Sequence, residues 1–312
     1  MRKRLLGTTA LEVTELGLGT WGLSGDGYGP VAEKEQDRVI ERALAVGIRL
    51  FDTADCYAQG SMEKRLGSRL KGDASVFIVT KLGTRRDTSC KDFSSAYLRE
   101  AFERSRERLQ RERLDCVLLH NPSAKAFEGD QLRELFESLR SSGALRCWGA
   151  SIGSVEAGRA ALAAGVDVLE LPYNMFHTQE LTGLETDFYS REVGVLARSV
   201  LAHGLLCGLW PQTKDFGGGD HRAERWSRDA LRRRLEQIAR VRPLLSEKLP
   251  SLRAIALRFV LEHARVSSAV LGPRSVPQLD QLVREAGREP PYIDPERFQQ
   301  IRDRLSEVGI WL

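Results

Sequence analysis

Short, uniformly apolar runs alternate along this chain with longer runs of helical period, and that alternation narrows the possible folds more than any other feature. The apolar runs fall at residues 16–19, 48–52, 76–81, 116–120, 145–151, 168–171, 194–198 and 268–271. Amphipathic stretches lie at 33–46, 62–70, 94–109, 131–141, 155–164, 252–263 and 276–286. A strand with no polar alternation is buried on both faces, and strands separated by helices pair in parallel. Eight such strands in 312 residues favour a sheet closed into a barrel over an open, doubly wound one. The length would also accommodate two domains. No Pro/Gly/Ser-rich linker or longer repeat divides the chain, so residues 1–312 are expected to form one domain.

In a parallel barrel the chemistry sits at the carboxyl ends of the strands. The second run ends in Asp52, the third in Lys81, the fourth in His120 and the fifth in Ser151. The sixth closes near Glu170, the seventh at Arg198 and Ser199, and Gly272 to Ser275 follow the eighth. Any one of these could be a chain leaving the core for water. As a set they converge on one rim.

Composition excludes several other classes. A net charge of +4 comes from arginines interleaved with acids, as in 100–113 and 224–242, where apolar residues keep helical spacing. That is a solvated helix face, and no nucleic-acid recognition motif accompanies it. No apolar run approaches the roughly 20 residues that span a bilayer. Glu12 and Glu15 interrupt the apolar core that a signal peptide would need after Arg2, Lys3 and Arg4, so a cytoplasmic location is expected. Cys56, Cys90, Cys116, Cys147 and Cys207 are odd in number, scattered and without a C-x-x-C pair, as expected of reduced thiols rather than a disulfide or zinc framework.

The stretch Phe51 to Gly67, F-D-T-A-D-C-Y-A-Q-G-S-M-E-K-R-L-G, resembles the signature of the aldo-keto reductase family, in which an aspartate precedes the catalytic tyrosine by five residues. V-T-K-L at 79–82 resembles the family's lysine strand, and D-C-V-L-L-H-N-P at 115–122 its histidine strand. Residues 4–21 resemble its N-terminal hairpin and first strand, and the likeness continues in order to about residue 286. It implies a (β/α)8 TIM barrel with an N-terminal β-hairpin and a C-terminal helical extension. It also implies a catalytic tetrad of Asp52, Tyr57, Lys81 and His120, and a reaction that moves hydride between NADP(H), or NAD(H), and a small aldehyde, ketone or alcohol.

The chemistry accounts for those residue types. Reducing a carbonyl requires hydride at carbon and a proton at the developing alkoxide. A phenol can give that proton, but its ordinary pKa of about 10 holds it too tightly in the reverse direction. An adjacent ammonium favours phenolate and should bring the value down. Lys81 is expected to supply it, Asp52 to hold Lys81, and His120 to orient the substrate oxygen by a hydrogen bond. The neighbouring Asp55 is expected to cap the loop or the following helix.

Gly17 to Gly22 satisfies G-x-G-x-x-G, which in a dinucleotide fold needs a helix starting at the glycines. The following L-S-G-D-G-Y-G-P is not expected to start one. In the barrel reading this loop, with Thr20, Trp21 and Gly22, lies against the cofactor, and Tyr28 walls the pocket. W-G-A-S-I-G-S at 148–154 resembles the family's carboxamide-holding segment: Ser151 matches, and Ile152 stands where asparagine is usual. In E-L-P-Y-N at 170–174, Glu170 replaces a glutamine. Arg198 stands where many members stack an aromatic on the nicotinamide, with Ser199 and Leu201 beside it. V-L-G-P-R-S-V-P-Q-L at 270–279 resembles the adenosine-phosphate loop. There Gly272, Arg274, Ser275 and Gln278 are the candidate contacts, and Leu282 replaces an asparagine.

Other readings stay open at this point: a barrel that binds the nucleotide in a regulatory, slow-turnover role, a sugar or alcohol dehydrogenase, or a non-redox barrel enzyme. Substrate choice would rest on the loops after the first, fourth and seventh runs and on the tail Gly309-Ile310-Trp311-Leu312. The stretch 210–220 reads as a long loop and a candidate lid. No feature of the sequence specifies an oligomeric state.

Overall fold

The computed structural model describes residues 1–287 and 289–310, so Trp311 and Leu312 of the tail lie outside the described residues. A hairpin opens the chain, with β1 (Lys3–Leu5) antiparallel to β2 (Glu12–Thr14). Eight parallel strands follow: β3 (Leu16–Gly19), β4 (Leu50–Asp52), β5 (Phe77–Leu82), β6 (Leu114–His120), β7 (Leu145–Ser151), β8 (Val168–Pro172), β9 (Gly194–Arg198) and β10 (Val266–Leu271). Each pairs with the next, and β10 pairs with β3, which closes a (β/α)8 TIM barrel.

Successive side chains on a strand point to opposite faces, and here that period of two decides what enters the barrel. Leu50, Phe77, Val79, Cys116, Leu118, Cys147, Val168 and Leu196 fill the interior. Their neighbours Phe51, Ile78, Val117, Leu119, Leu169 and Ala197 face the surrounding helices. Trp148, on the outer face of β7, stacks on Phe136 of the Gln131–Ser141 helix with centroids 4.6 Å apart. Continuing the inward series by two residues gives Asp52, Lys81, His120, Glu170 and Arg198, and on β7 the same series runs from Cys147 through Gly149 to Ser151. The hydrophobic pattern that builds the barrel therefore aims these side chains at its upper end.

The hairpin closes the lower end. Leu6 and Val13 join the interior cluster. The Thr14 hydroxyl accepts from the backbone N–H groups of Arg49 and Leu50 and donates to the Leu16 carbonyl. Gly7 sits at φ +57 against β9, where a Cβ would stand 2.3 Å from the Gly194 nitrogen, so only glycine fits this contact.

Helix starts follow side-chain capping. Ser94, Ser154, Ser227, Ser251, Ser275 and Asp294 each accept from the backbone N–H three residues on. The last of these opens Pro295–Ser306, the C-terminal helical extension, which buries Ile301 and Leu305. Three features differ from the sequence expectation. Strand limits shift by one or two residues because partner hydrogen bonding, not apolarity, sets them: β6 starts at Leu114, β8 runs on to Pro172, and β10 starts at Val266 with a register shift before Ser268. A one-turn helix, Trp21–Ser24, does form at the end of the glycine motif and includes Gly22, and Gly25 at φ +91 ends it rather than preventing it. The arginine-rich region is two helices, Arg222–Arg225 and Arg228–Val241, parted at the Ser227 cap. Among the described residues no helix is long and apolar enough to cross a membrane, and no three His, Cys, Asp or Glu side chains cluster so as to hold a metal ion.

Candidate active site

A cavity of about 910 Å³ opens at the carboxyl end of the barrel, floored by Asp52, Lys81, Ser151 and Glu170 and walled by Tyr57 and His120. Lys81 is buried and donates a short hydrogen bond to Asp52 Oδ2 and a second, of 3.2 Å, to the Thr53 carbonyl. Glu170 Oε2 stands 3.4 Å from the same Nζ on the other side, buried and without a hydrogen-bond partner. The ammonium lies 5.7 Å from the centre of the Tyr57 ring, and that ring meets His120 edge to face at 5.9 Å.

Burial would pull the Lys81 ammonium down, but Asp52 and Glu170 outweigh it and hold its pKa above the ordinary lysine value. The Asp52 carboxyl is pushed up to about 7, by burial first and by the Glu170 charge next, against the opposing pull of Lys81. Tyr57 departs from the sequence expectation. Its phenol lies above, not below, the ordinary value because burial dominates; Lys81 lowers it, and Asp52 and Glu170 raise it again. His120 is held well below 6.5 by burial and by Lys81, Lys91 and Arg198, so its ring is neutral at physiological pH. Its Nδ1 lies 3.7 Å from the Cys56 sulfur, and among the described residues Nε2 has no hydrogen-bond partner.

The remaining expected contacts divide. Trp21, Gly22, Ser151, Glu170, Arg198, Ser199, Leu201, Gly272, Arg274 and Gln278 line the cavity. Arg198 Nη2 donates to the Ile152 carbonyl while its buried Nε has no partner. Thr20 and Ser275 do not line it. The Thr20 hydroxyl is fully buried and spent on the Asp52 carbonyl at 2.9 Å, and the Ser275 hydroxyl caps the Val276–Ala286 helix. Ile152 is core, and Leu282 lines the wall as an apolar group. The Arg274 guanidinium donates to the carbonyls of Gly22, Gly29 and Pro30, tying the loop after β10 to the loop after β3. Asp55 caps nothing: Gly60 precedes the Ser61–Leu70 helix, and the buried Asp55 carboxyl, with one unpartnered oxygen, is pushed up to about 7 by burial and Glu63.

Sequence reasoning passed over Cys56, Arg86, Asn121, His203 and Arg253, all on the cavity wall. Cys56 and Asn121 carried a signal, the one beside Tyr57 and the other beside His120. The candidate lid begins at Trp210 on the cavity wall, and its far end meets the loop after β3. The His221 N–H donates to the Gly27 carbonyl at 3.0 Å, Tyr28 bridges to Asp220, and Arg222 stacks over the Tyr28 ring at 4.8 Å.

A closed parallel barrel whose upper end joins a buried ammonium, its carboxylates, a phenol and a neutral imidazole defines a barrel enzyme equipped for proton transfer. The model of the aldo/keto reductase family matches residues 15–303, and the chain belongs to that family of oxidoreductases. It is 27% identical over 296 residues to an uncharacterized oxidoreductase of Bacillus subtilis, YqkF, covering 92% of this chain and 91% of that protein. An aldo-keto reductase of Bacillus halodurans in its holo form superimposes with a TM-score of 0.81 at 26% identity, covering 97% of this chain and 96% of that one. The glycerol dehydrogenase of Gluconobacter oxydans does so with a TM-score of 0.83 at 25% identity, covering 98% and 96%.

Proposed function

We propose that residues 1–312 form one catalytic domain that moves hydride between NADP(H) and a small aldehyde, ketone or corresponding alcohol, with Tyr57 as general acid and base. The observation that carries this reading is the buried Lys81 ammonium, bonded to Asp52 and set against the face of Tyr57. A nicotinamide cofactor fits the donor set: among the described residues Glu170 Oε2 and Arg198 Nε are buried on the cavity lining without a hydrogen-bond partner. The cofactor would supply the hydride, as such groups carry the redox chemistry. Ser151, Glu170 and Arg198 would hold its pyridine end, and the Gly272–Gln278 loop its adenosine end. Tyr57 would give its proton to the substrate oxygen, which the His120 Nε2–H would orient. Lys81 favours the phenolate when the proton must return, and Asp52 keeps the ammonium in place.

The preference for NADP(H) over NAD(H) is read from Arg274, which would exchange the Gly29 and Pro30 carbonyls for a 2′-phosphate. Alcohol oxidation is the second reading, favoured by the likeness to a glycerol dehydrogenase. Tyr57→Phe tests the assignment. Aldehyde-dependent oxidation of NADPH should fall at least about 100-fold, the usual contribution of a placed acid, while quenching of tryptophan fluorescence by NADPH persists. Wild-type turnover in this variant would overturn Tyr57 as the acid.

A further inference from the structure

The charges on the barrel floor do not balance. Asp52 on β4 and Glu170 on β8 both face the single Lys81 ammonium on β5, and all three are buried. Lys81 donates a hydrogen bond to Asp52 but none to Glu170 Oε2. Among the described residues no other side chain makes an ion pair with either carboxylate; Arg198 is the one further cation near them, and it acts on Asp52 only from a distance. On β9, Arg198 is half-buried and gives its Nη2 to the Ile152 carbonyl rather than to a carboxylate. On β6, His120 is neutral. Tyr57 and Cys56, from the loop after β4, are both held in their protonated forms by burial. β7 contributes Ser151, which carries no charge.

We propose that Glu170 is a positioning residue for proton transfer, the second carboxylate of the Lys81 ammonium, which leaves the buried unit one proton short of neutrality and keeps Tyr57 in its proton-donating form. An isolated buried charge is costly, and two carboxylates that share a site relieve the cost by taking up one proton between them. The raised Asp52 carboxyl agrees with this. With the second carboxylate ionised, the phenol faces two negative charges against one positive charge and holds its proton more tightly. The inference rests on the proposed function only where it concerns Tyr57; the proton count of Asp52, Lys81 and Glu170 stands without it.

Glu170→Gln tests both parts while keeping the side-chain shape. The first measurement is thermal unfolding of wild type and variant between pH 5 and pH 8. A carboxyl raised in the folded state binds a proton that the unfolded chain has released, so stability falls as pH rises from about 4 to about 7. The variant should therefore gain on wild type as the pH rises, since the Asp52–Lys81 pair left behind is neutral. Asp55 titrates in both proteins and cancels. Asp52→Asn, which leaves Glu170 as the one carboxylate, should lose the same pH dependence and serves if the first variant does not fold. A difference that stays constant across this range overturns the proposal. The second measurement is the pH profile of alcohol oxidation, whose alkaline rise should move about one to two pH units towards acid in Glu170→Gln, the shift expected when a charge roughly 6–12 Å away is removed at an effective dielectric near 20. An unmoved rise overturns the link to Tyr57. If wild type turns over neither alcohols nor carbonyls, the proposed function fails while the unfolding measurement still decides the proton count.

Discussion

Replacing Lys81 by methionine keeps the length of the side chain and removes the one positive charge between two buried carboxylates. At 3.4 Å and an effective dielectric of 20, the ammonium and Glu170 alone attract by about 5 kcal/mol, and Asp52 adds to this. Part of the sum only offsets the cost of burying the ammonium, so the expected net loss is about 3–5 kcal/mol, the range for breaking a buried pair from one side. For a chain of this size each kcal/mol lowers Tm by roughly 2–4 °C, which gives a fall of roughly 10 °C. The loss should depend on pH, because the abandoned carboxylates recover neutrality by binding protons. Acids raised in the folded state weaken it as pH increases, so Lys81→Met should be damaged more at pH 8 than at pH 5. Circular-dichroism melts at those two values measure this directly. Equal losses at both, or none at pH 8, would mean that the three charges do not act as one buried unit.

Arg274→Ala should weaken NADPH roughly 10–100-fold, the range for a lost charge-assisted bond, and NADH much less. Equal weakening in fluorescence titrations would make Arg274 a loop tie and nothing more, since its bonds to Gly22, Gly29 and Pro30 serve either cofactor. His120→Gln should lower kcat/KM for carbonyl reduction without moving the pH profile, because the imidazole of wild type is already neutral across the working range. A wild-type limb near 6.5 that vanishes in this variant would refute the neutral ring.

Strand order, closure and the rim residues were legible because one periodicity governs them all. An apolar residue facing inward, such as Leu50, Val79 or Val168, fixes the direction of the residue two further on, and these are Asp52, Lys81 and Glu170. What the sequence did not reveal depends on distance across the barrel and on competition for donors. Glu170 stood in the sequence as a cofactor contact, and only closure brings β8 close enough to set its carboxylate beside Lys81. The Tyr57 phenol was expected to fall because one neighbour was counted; burial and two carboxylates prevail. The hydroxyls of Thr20 and Ser275 are taken by nearer backbone groups, which no motif spacing reports. Gly25 argued against a helix and instead terminates one.

The plug formed by Leu6 and Val13 has a consequence for how the site exchanges protons. Beneath Lys81 the barrel is packed with Leu50, Val79, Leu118 and the thiols of Cys116 and Cys147 down to the hairpin, and the cavity at the carboxyl end is the side on which the charged floor meets solvent. A ligand seated in that cavity would slow proton exchange with solvent, so the protons held there on binding would pass into the chemical step.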